Sequence, residues 1–81
     1  MYHVYLLRST TQTKKTYVGF TEQNPADRLA EHNAGRVPNT SRHAPWCCVA
    51  SVSVPDKRKA LALERYFKSG SGHAFARRHL W

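Results

Sequence analysis

The first 21 residues contain two short apolar segments, YHVYLLR at 2–8 and TYVGFT at 16–21. Both are rich in tyrosine, valine and leucine or phenylalanine, which favours β-strands. The polar residues 9–15 between them form a connection short enough for an antiparallel hairpin. The sequence therefore predicts that the chain begins with two antiparallel strands.

Local signals predict a short helix directly after this hairpin. Asn24 is a favourable N-cap, Pro25 suits the first helical position, and Gly35 is expected just beyond the last turn. These signals predict a helix over residues 25–34. Its buried edge is expected to consist of three apolar residues, Ala26, Leu29 and Ala30.

The second half of the chain alternates again between strand and helix signals. Residues 36–45 are expected to form an irregular polar loop, and WCCVASVSV at 46–54 predicts a third strand. Asp56 is a favourable cap for a second helix, KRKALALERYFK, which Gly70 is expected to close. A further short helix is predicted over residues 73–80.

These elements predict an α+β fold in which helices flank a three-stranded, mainly antiparallel sheet, in the order β-β-α-β-α-α. The length of 81 residues leaves room for one domain, spanning 1–81. The only cysteines, Cys47 and Cys48, are adjacent and do not bridge easily, which favours a reducing, cytoplasmic location. No apolar run approaches the ~20 residues of a membrane span, so no membrane partner is expected.

The charge balance indicates a polyanionic partner. Thirteen Lys and Arg residues face five Asp and Glu, giving a formal net charge of +8. The positive residues are spread along the chain, as on the surface of a folded domain, and nucleic acid is the commonest partner of such a surface. A cationic protein without such a partner would have the same composition.

Two tyrosines of the hairpin are candidates for chemistry. Tyr5 and Tyr17 are an even number of residues apart, so in a near-symmetric register their side chains point to the same face of the sheet. Their hydroxyls could bind a phosphate or accept a proton, although aromatic packing across a sheet is commoner. Gly19 lies on the same face and would leave space beside Tyr17.

Each helix adds further candidates. Arg28 and His32 are four residues apart, and a guanidinium suits phosphate recognition, although a solvated arginine and a structural histidine are the commoner situations. Glu64 falls on the apolar stripe of the second helix. We expect it to form a salt bridge, and the alternative is a single carboxylate ligand for Mg²⁺. The candidate ion-pair partners are Arg65, Lys68 and Arg28.

The order of these residues resembles the GIY-YIG nuclease family, in particular its small stand-alone members. The matching segments are HVY at 3–5, YVG at 17–19, Arg28 in RLAEHNAG, and Glu64 in ALERYFKSGSG. The resemblance covers nearly the whole chain. Four motifs in this order and at these spacings are a strong signal, although each one alone is weak.

The resemblance implies phosphodiester hydrolysis with one divalent ion, Mg²⁺ or Mn²⁺. It implies that Tyr5 acts as general base or positions the water, that Tyr17 is its partner, and that Arg28 stabilises the transition state. His32 matches a frequent supporting position, and Glu64 matches the sole metal ligand. Five basic residues are expected to contact the nucleic acid: Lys14, Lys15, Arg36, Arg42 and Lys68.

Three functions remain open at this level. The first is a metal-dependent DNA endonuclease, with DNA favoured over RNA, acting in repair or recombination. The second is a nucleic-acid-binding module with weak catalysis. The third is a subunit recruited by a larger nuclease, for which an exposed Trp46 or Trp81 would provide a docking surface. In each of these cases a partner protein would supply specificity.

Overall fold

The computed structural model describes all 81 residues and has the predicted α+β class. Three strands and four helices follow one another along the chain: β1 Tyr2–Ser9, β2 Thr16–Thr21, α1 Pro25–Asn33, α2 Pro38–Ser41, β3 Trp46–Val54, α3 Lys57–Lys68 and α4 Gly70–His79. The sheet order is β2-β1-β3, and both pairings are antiparallel. The predicted three-stranded antiparallel sheet is therefore confirmed. None of the helices is long and apolar enough to cross a bilayer.

The register of the hairpin places the odd-numbered residues on one face of the sheet. Tyr5 pairs with Gly19, and Leu7 pairs with Tyr17. Because side chains alternate along a strand, these four residues share one face. The prediction that both tyrosines lie on the same side of the sheet is confirmed.

Central strand β1 divides the apolar core into two parts. Val4 and Leu6 point to one face, where they pack with residues of α3 and α4, namely Ala60, Phe67 and Ala76. Tyr5 and Leu7 point to the other face, where they pack with Trp46 and the partly buried Leu29. The Tyr5 face is thus covered by α1 and the start of β3, and the opposite face by the two C-terminal helices.

Helix α1 has the predicted start and stop signals but a different buried edge. The Asn24 side chain accepts a hydrogen bond from the Ala26 amide, at 2.9 Å. Gly35 has φ of 75°, a left-handed conformation that a glycine adopts without strain. The predicted edge was wrong in part, since Ala26 and Ala30 are exposed and the fully buried side chain is His32. His32, and not an alanine, reaches the tyrosines. The helix therefore faces the sheet through its last turn.

Two boundaries in the second half also differ from prediction. The 36–45 segment contains the one-turn helix α2, for which Pro38 supplies the first helical residue. Gly70 does not close α3 but begins α4, and the Ser69 hydroxyl caps α4 by accepting from the Gly72 amide at 3.3 Å. A side chain at Gly72 would collide with the Tyr66 carbonyl, so this close approach of α4 to α3 requires a glycine.

Candidate active site

The two hairpin tyrosines form one wall of a polar site. Their ring centroids are 6.2 Å apart, Tyr5 is buried, and Tyr17 is half-buried. Gly19 lies directly under the end of the Tyr5 ring, where a Cβ atom would overlap the Tyr5 hydroxyl and would also crowd Tyr17. The space that the glycine provides is therefore occupied by Tyr5 itself.

His32 of α1 contacts the tyrosine wall from the helix side. Its Nε2 is 2.9 Å from the Tyr5 hydroxyl, and the imidazole is fully buried. Its ring centroid is 5.6 Å from that of Tyr5 and 5.1 Å from that of Tyr17. The structure thus brings three of the predicted catalytic side chains into direct contact.

Thr40 of α2 fixes the direction of the hydrogen bonds through His32. Its Oγ1 is 2.6 Å from His32 Nδ1 and donates its own proton to the Val37 carbonyl, at 3.3 Å. In the one arrangement that makes all three contacts hydrogen bonds, the threonine oxygen accepts from Nδ1–H, and Nε2 accepts the Tyr5 proton. A directed chain, Tyr5 to His32 to Thr40 to the Val37 carbonyl, is the result.

The Thr40 segment is held by Trp46 and Asn33, which sequence analysis did not identify as parts of the site. Trp46 donates its indole N–H to the Thr40 carbonyl, at 2.8 Å. The Asn33 side chain accepts from the Trp46 amide and donates to the Trp46 carbonyl, at 3.0 Å. Asn33 directly follows His32 in α1. The end of this helix therefore positions the imidazole itself and, through Trp46, also positions Thr40, the hydrogen-bond partner of the imidazole. Pro38 suits the first position of a helical turn, and it was the sequence signal that could have located α2.

The charges around the buried histidine favour its neutral form. Burial lowers the pKa of His32, the positive charge of Arg28 lowers it further, and Glu31 acts in the opposite direction. The imidazole therefore stays neutral near pH 7 and keeps an acceptor lone pair for Tyr5. In acid its protonation would turn Nε2 into a donor to the Tyr5 oxygen, so that it could no longer accept the Tyr5 proton.

The pKa of Tyr5 is raised, and one neighbour, Arg28, acts against this rise. Burial raises the pKa of its hydroxyl, the nearby charge of Glu64 adds to that effect, and Arg28 lowers the pKa by hydrogen bonding and by its charge. Arg28 is itself held by Glu31, with 2.8 Å between Nη1 and Oε1, and its own pKa is raised by Glu31 and Tyr5. The guanidinium is therefore a fixed, permanent positive charge beside the tyrosine.

Glu64 of α3 is close enough to the tyrosine wall for its charge to raise the pKa of Tyr5. Its side chain is 20% exposed and pairs with Lys68, with 3.2 Å between Oε2 and Nζ. The expected salt bridge is thus present, and Lys68 is the partner rather than Arg65 or Arg28. No group of three or more histidine, cysteine or acidic side chains could hold a metal. A lone, partly buried carboxylate fits an ion such as Mg²⁺, which often takes one or two protein carboxylates and keeps several waters.

The predicted nucleic-acid contacts are exposed but do not all lie together. Lys14 and Lys15 belong to the turn of the hairpin, and Arg42 follows α2. The Ser9 hydroxyl donates to the His43 carbonyl at 2.7 Å, which ties the loop carrying Arg42 to that turn. Arg36 follows the C-terminal end of α1, whereas Lys68 is occupied by Glu64.

Comparison with known proteins gives two findings. The model of the GIY-YIG catalytic domain family matches residues 1–76 of the chain. The structure-specific endonuclease subunit SLX1 of Podospora anserina is 45% identical over 58 residues, which cover 65% of this chain and 16% of that protein. The chain thus spans a small part of the length of this relative.

Proposed function

Because the chain belongs to the GIY-YIG catalytic domain family, we propose that it is a DNA endonuclease that hydrolyses phosphodiester bonds with one divalent metal ion. The observation that carries the proposal is the directed hydrogen-bond chain from Tyr5 through His32 to Thr40, beside the fixed charge of Arg28. A tyrosine with a neutral histidine as proton acceptor and a cation next to it is suited to activating water against a phosphate.

Tyr5 is proposed to act as the general base, and His32 is proposed to accept the proton of its hydroxyl. Burial holds the Tyr5 pKa above its ordinary value, so the hydroxyl gives up its proton only to an acceptor already in contact. The Tyr5 hydroxyl takes a proton from water as it passes its own proton to His32 Nε2, so that no free phenolate accumulates. The water oxygen forms the new bond to phosphorus while a phosphate ester bond breaks, and the departing oxygen takes a proton from solvent. His32, whose lowered pKa favours the neutral form, then returns its proton to solvent.

Arg28 and Tyr17 are proposed to bind the phosphate. Arg28 carries a permanent charge beside Tyr5 and would offset the negative charge that develops on the phosphate oxygens. Tyr17 lies on the same wall and is half-buried, so its hydroxyl can orient the substrate.

Glu64 is proposed as the residue that would hold the metal ion. A bound Mg²⁺ or Mn²⁺ would supply further positive charge opposite the phosphate. The ammonium of Lys68 now contacts this carboxylate, so the lysine would have to turn away as the ion binds. Since Lys68 is more than half exposed, its release costs at most about 1 kcal/mol.

Substrate, pathway and location belong to the same proposal. SLX1 of Podospora anserina is named a structure-specific endonuclease subunit, which favours branched DNA, a role in repair or recombination, and a protein partner. A location in the reducing cytoplasm is proposed because the adjacent Cys47 and Cys48 do not bridge easily. The tryptophan argument for a docking surface fails, because Trp46 is buried and Trp81 packs against the core below the Arg8 guanidinium.

Cleavage of defined DNA tests the proposal. Purified protein is incubated with supercoiled, linear and branched DNA in Mg²⁺, Mn²⁺ or EDTA, beside the Arg28→Ala variant. We expect metal-dependent cleavage, fastest on branched DNA, that is absent in EDTA and in Arg28→Ala. Salt-sensitive DNA retention without cleavage in any metal would overturn the nuclease proposal and favour the binding module.

Replacing Thr40 with valine tests the direction of the hydrogen-bond chain. Valine keeps the shape but leaves His32 Nδ1–H without an acceptor, so we expect the other tautomer to become populated and kcat to fall about tenfold. Thr40→Ser keeps the hydroxyl and should restore both. The measurements are kcat and KM, together with nitrogen NMR shifts of the His32 ring. Equal rates and equal shifts in the valine and serine variants would contradict the role of Thr40.

A further inference from the structure

Helix α4 and the end of α3 expose two neighbouring aromatic side chains. Phe75 is 44% exposed and Tyr66 is 40% exposed. Their ring centroids are 6.3 Å apart, and the His79 ring lies 4.8 Å from that of Phe75. Exposed apolar side chains that lie together, and not singly, mark a candidate binding surface.

The same face of α4 lines a groove of about 650 Å³, which we call the α4 groove. It contains Phe75 and His79, and its two arginines are Arg77 and Arg78. Its remaining lining residues are small, Ser71 and Ala74. The opposite side of α4 carries the buried Gly72 and Ala76, so the groove faces solvent and the core does not fill it.

The charged residues that line the α4 groove, Arg77 and Arg78, are both positive. No aspartate or glutamate lines it, and none occurs in the sequence after Glu64, which pairs with Lys68. A surface of this kind attracts a chain of phosphates. It is poorly suited to a basic or neutral protein segment.

The α4 groove is separate from the tyrosine site. Helices α3 and α4 cover the Val4–Leu6 face of the sheet, and Tyr5 lies on the opposite face. Helix α3 connects the two regions, since it carries Glu64 near the tyrosine site and Tyr66 beside the groove. The groove is therefore a second surface that the proposed catalytic residues do not use.

We propose that the α4 groove binds single-stranded nucleic acid, with bases stacking on Phe75 and Tyr66 and phosphates contacting Arg77 and Arg78. Unpaired bases expose the faces that stack on aromatic rings, whereas a duplex hides them, so the aromatic pair selects unpaired strands. This inference deepens the proposed function and rests on it in one respect. An endonuclease for branched DNA would hold the unpaired arm here while the duplex lies at the tyrosine site.

Binding in EDTA, where no cleavage is expected, tests the α4 groove. Fluorescence anisotropy is measured with labelled oligothymidylate and with a blunt duplex, for the wild type, Phe75→Leu and Phe75→Trp. Leucine keeps an apolar side chain and favours the helix, but it cannot stack as an aromatic ring does. We expect Phe75→Leu to weaken single-strand binding roughly tenfold, with duplex binding unchanged and Phe75→Trp close to the wild type.

The arginines give an independent readout of the same binding mode. Removing both in Arg77→Ala/Arg78→Ala should reduce the salt dependence of single-strand binding, with the slope of log K against log salt smaller by about 1.4. The paired control Lys57→Ala/Arg58→Ala removes two charges at the other end of α3 and should change this slope little.

The outcomes separate the two proposals. Unchanged oligothymidylate binding by Phe75→Leu, or an equal loss for duplex and single strand, would overturn the α4 groove proposal even if the protein cleaves DNA. Failure of the wild type to bind oligothymidylate would also overturn it, and would favour a protein as the occupant. Selective loss in Phe75→Leu without any cleavage would support the groove and overturn the nuclease.

Discussion

Replacing Tyr5 with phenylalanine should lower the cleavage rate by about 10²- to 10⁴-fold, which is the range that a positioned acid or base contributes. The phenyl ring keeps its packing against Leu7 and Trp46, so the fold should persist. His32 Nε2 loses its hydrogen-bond donor, and leaving that buried acceptor unpaired should cost about 1–3 kcal/mol of stability. DNA retention in EDTA should be unchanged, because no positive charge is removed.

Tyr2→Phe is the matched control for this variant. Tyr2 belongs to the same strand, but its ring stacks on Phe20 and packs against the other core, with 6.3 Å between the centroids. It therefore loses a hydroxyl far from His32 and should cleave at the wild-type rate. Single-turnover rates and thermal melts are measured for both. A Tyr5→Phe rate within threefold of the wild type would rule out the general-base role.

Replacing Glu64 with glutamine should abolish metal-dependent cleavage while leaving DNA retention nearly intact. The amide has the shape of the carboxylate but is a much weaker ligand for a hard cation. Losing a charge stabilisation of several kcal/mol corresponds to a rate lower by roughly three orders of magnitude. Loss of the Lys68 ion pair should change stability by less than about 1 kcal/mol.

Calorimetric titration with Mn²⁺ reads out the ligand role of Glu64 apart from activity. We expect one site in the wild type and none in Glu64→Gln. Glu22→Gln is the matched control, because Glu22 also pairs with a lysine, Lys57, and is exposed. Equal Mn²⁺ binding by both variants, or loss of folding in Glu64→Gln, would contradict the metal-ligand assignment.

The features that could be predicted from sequence were those that depend on neighbouring residues. The parity of Tyr5 and Tyr17 fixed their common face once the hairpin was symmetric, and pairing of Tyr5 with Gly19 confirms that symmetry. The caps of α1 were predicted because Asn24 and Gly35 act on the backbone within a few residues. Local chemistry of this kind is visible in the sequence.

The parts that could not be predicted depend on contacts between distant elements. Thr40 is important because its segment docks on Trp46, and nothing in the segment VPNTSRH alone indicates that its threonine contacts His32. Burial of His32 in place of Ala26 and Ala30 likewise follows from the angle at which α1 meets the sheet. The pairing of Glu64 with Lys68 was one of three that the sequence left open, the others being with the adjacent Arg65 and with Arg28 of another helix.

The alternation along β1 has a consequence for how the protein tolerates mutation. Four successive positions of β1 are buried and should tolerate few substitutions. Val4 and Leu6 belong to one core, and Tyr5 and Leu7 are buried on the face that carries the site. In a library of all single substitutions, the even positions should deplete through loss of abundance. The phenylalanine variant of Tyr5 should instead lose far more activity than abundance. Mutations that stabilise strand β1 can therefore be selected only at positions that take no part in the chemistry. Evolution has little freedom there to exchange activity for stability.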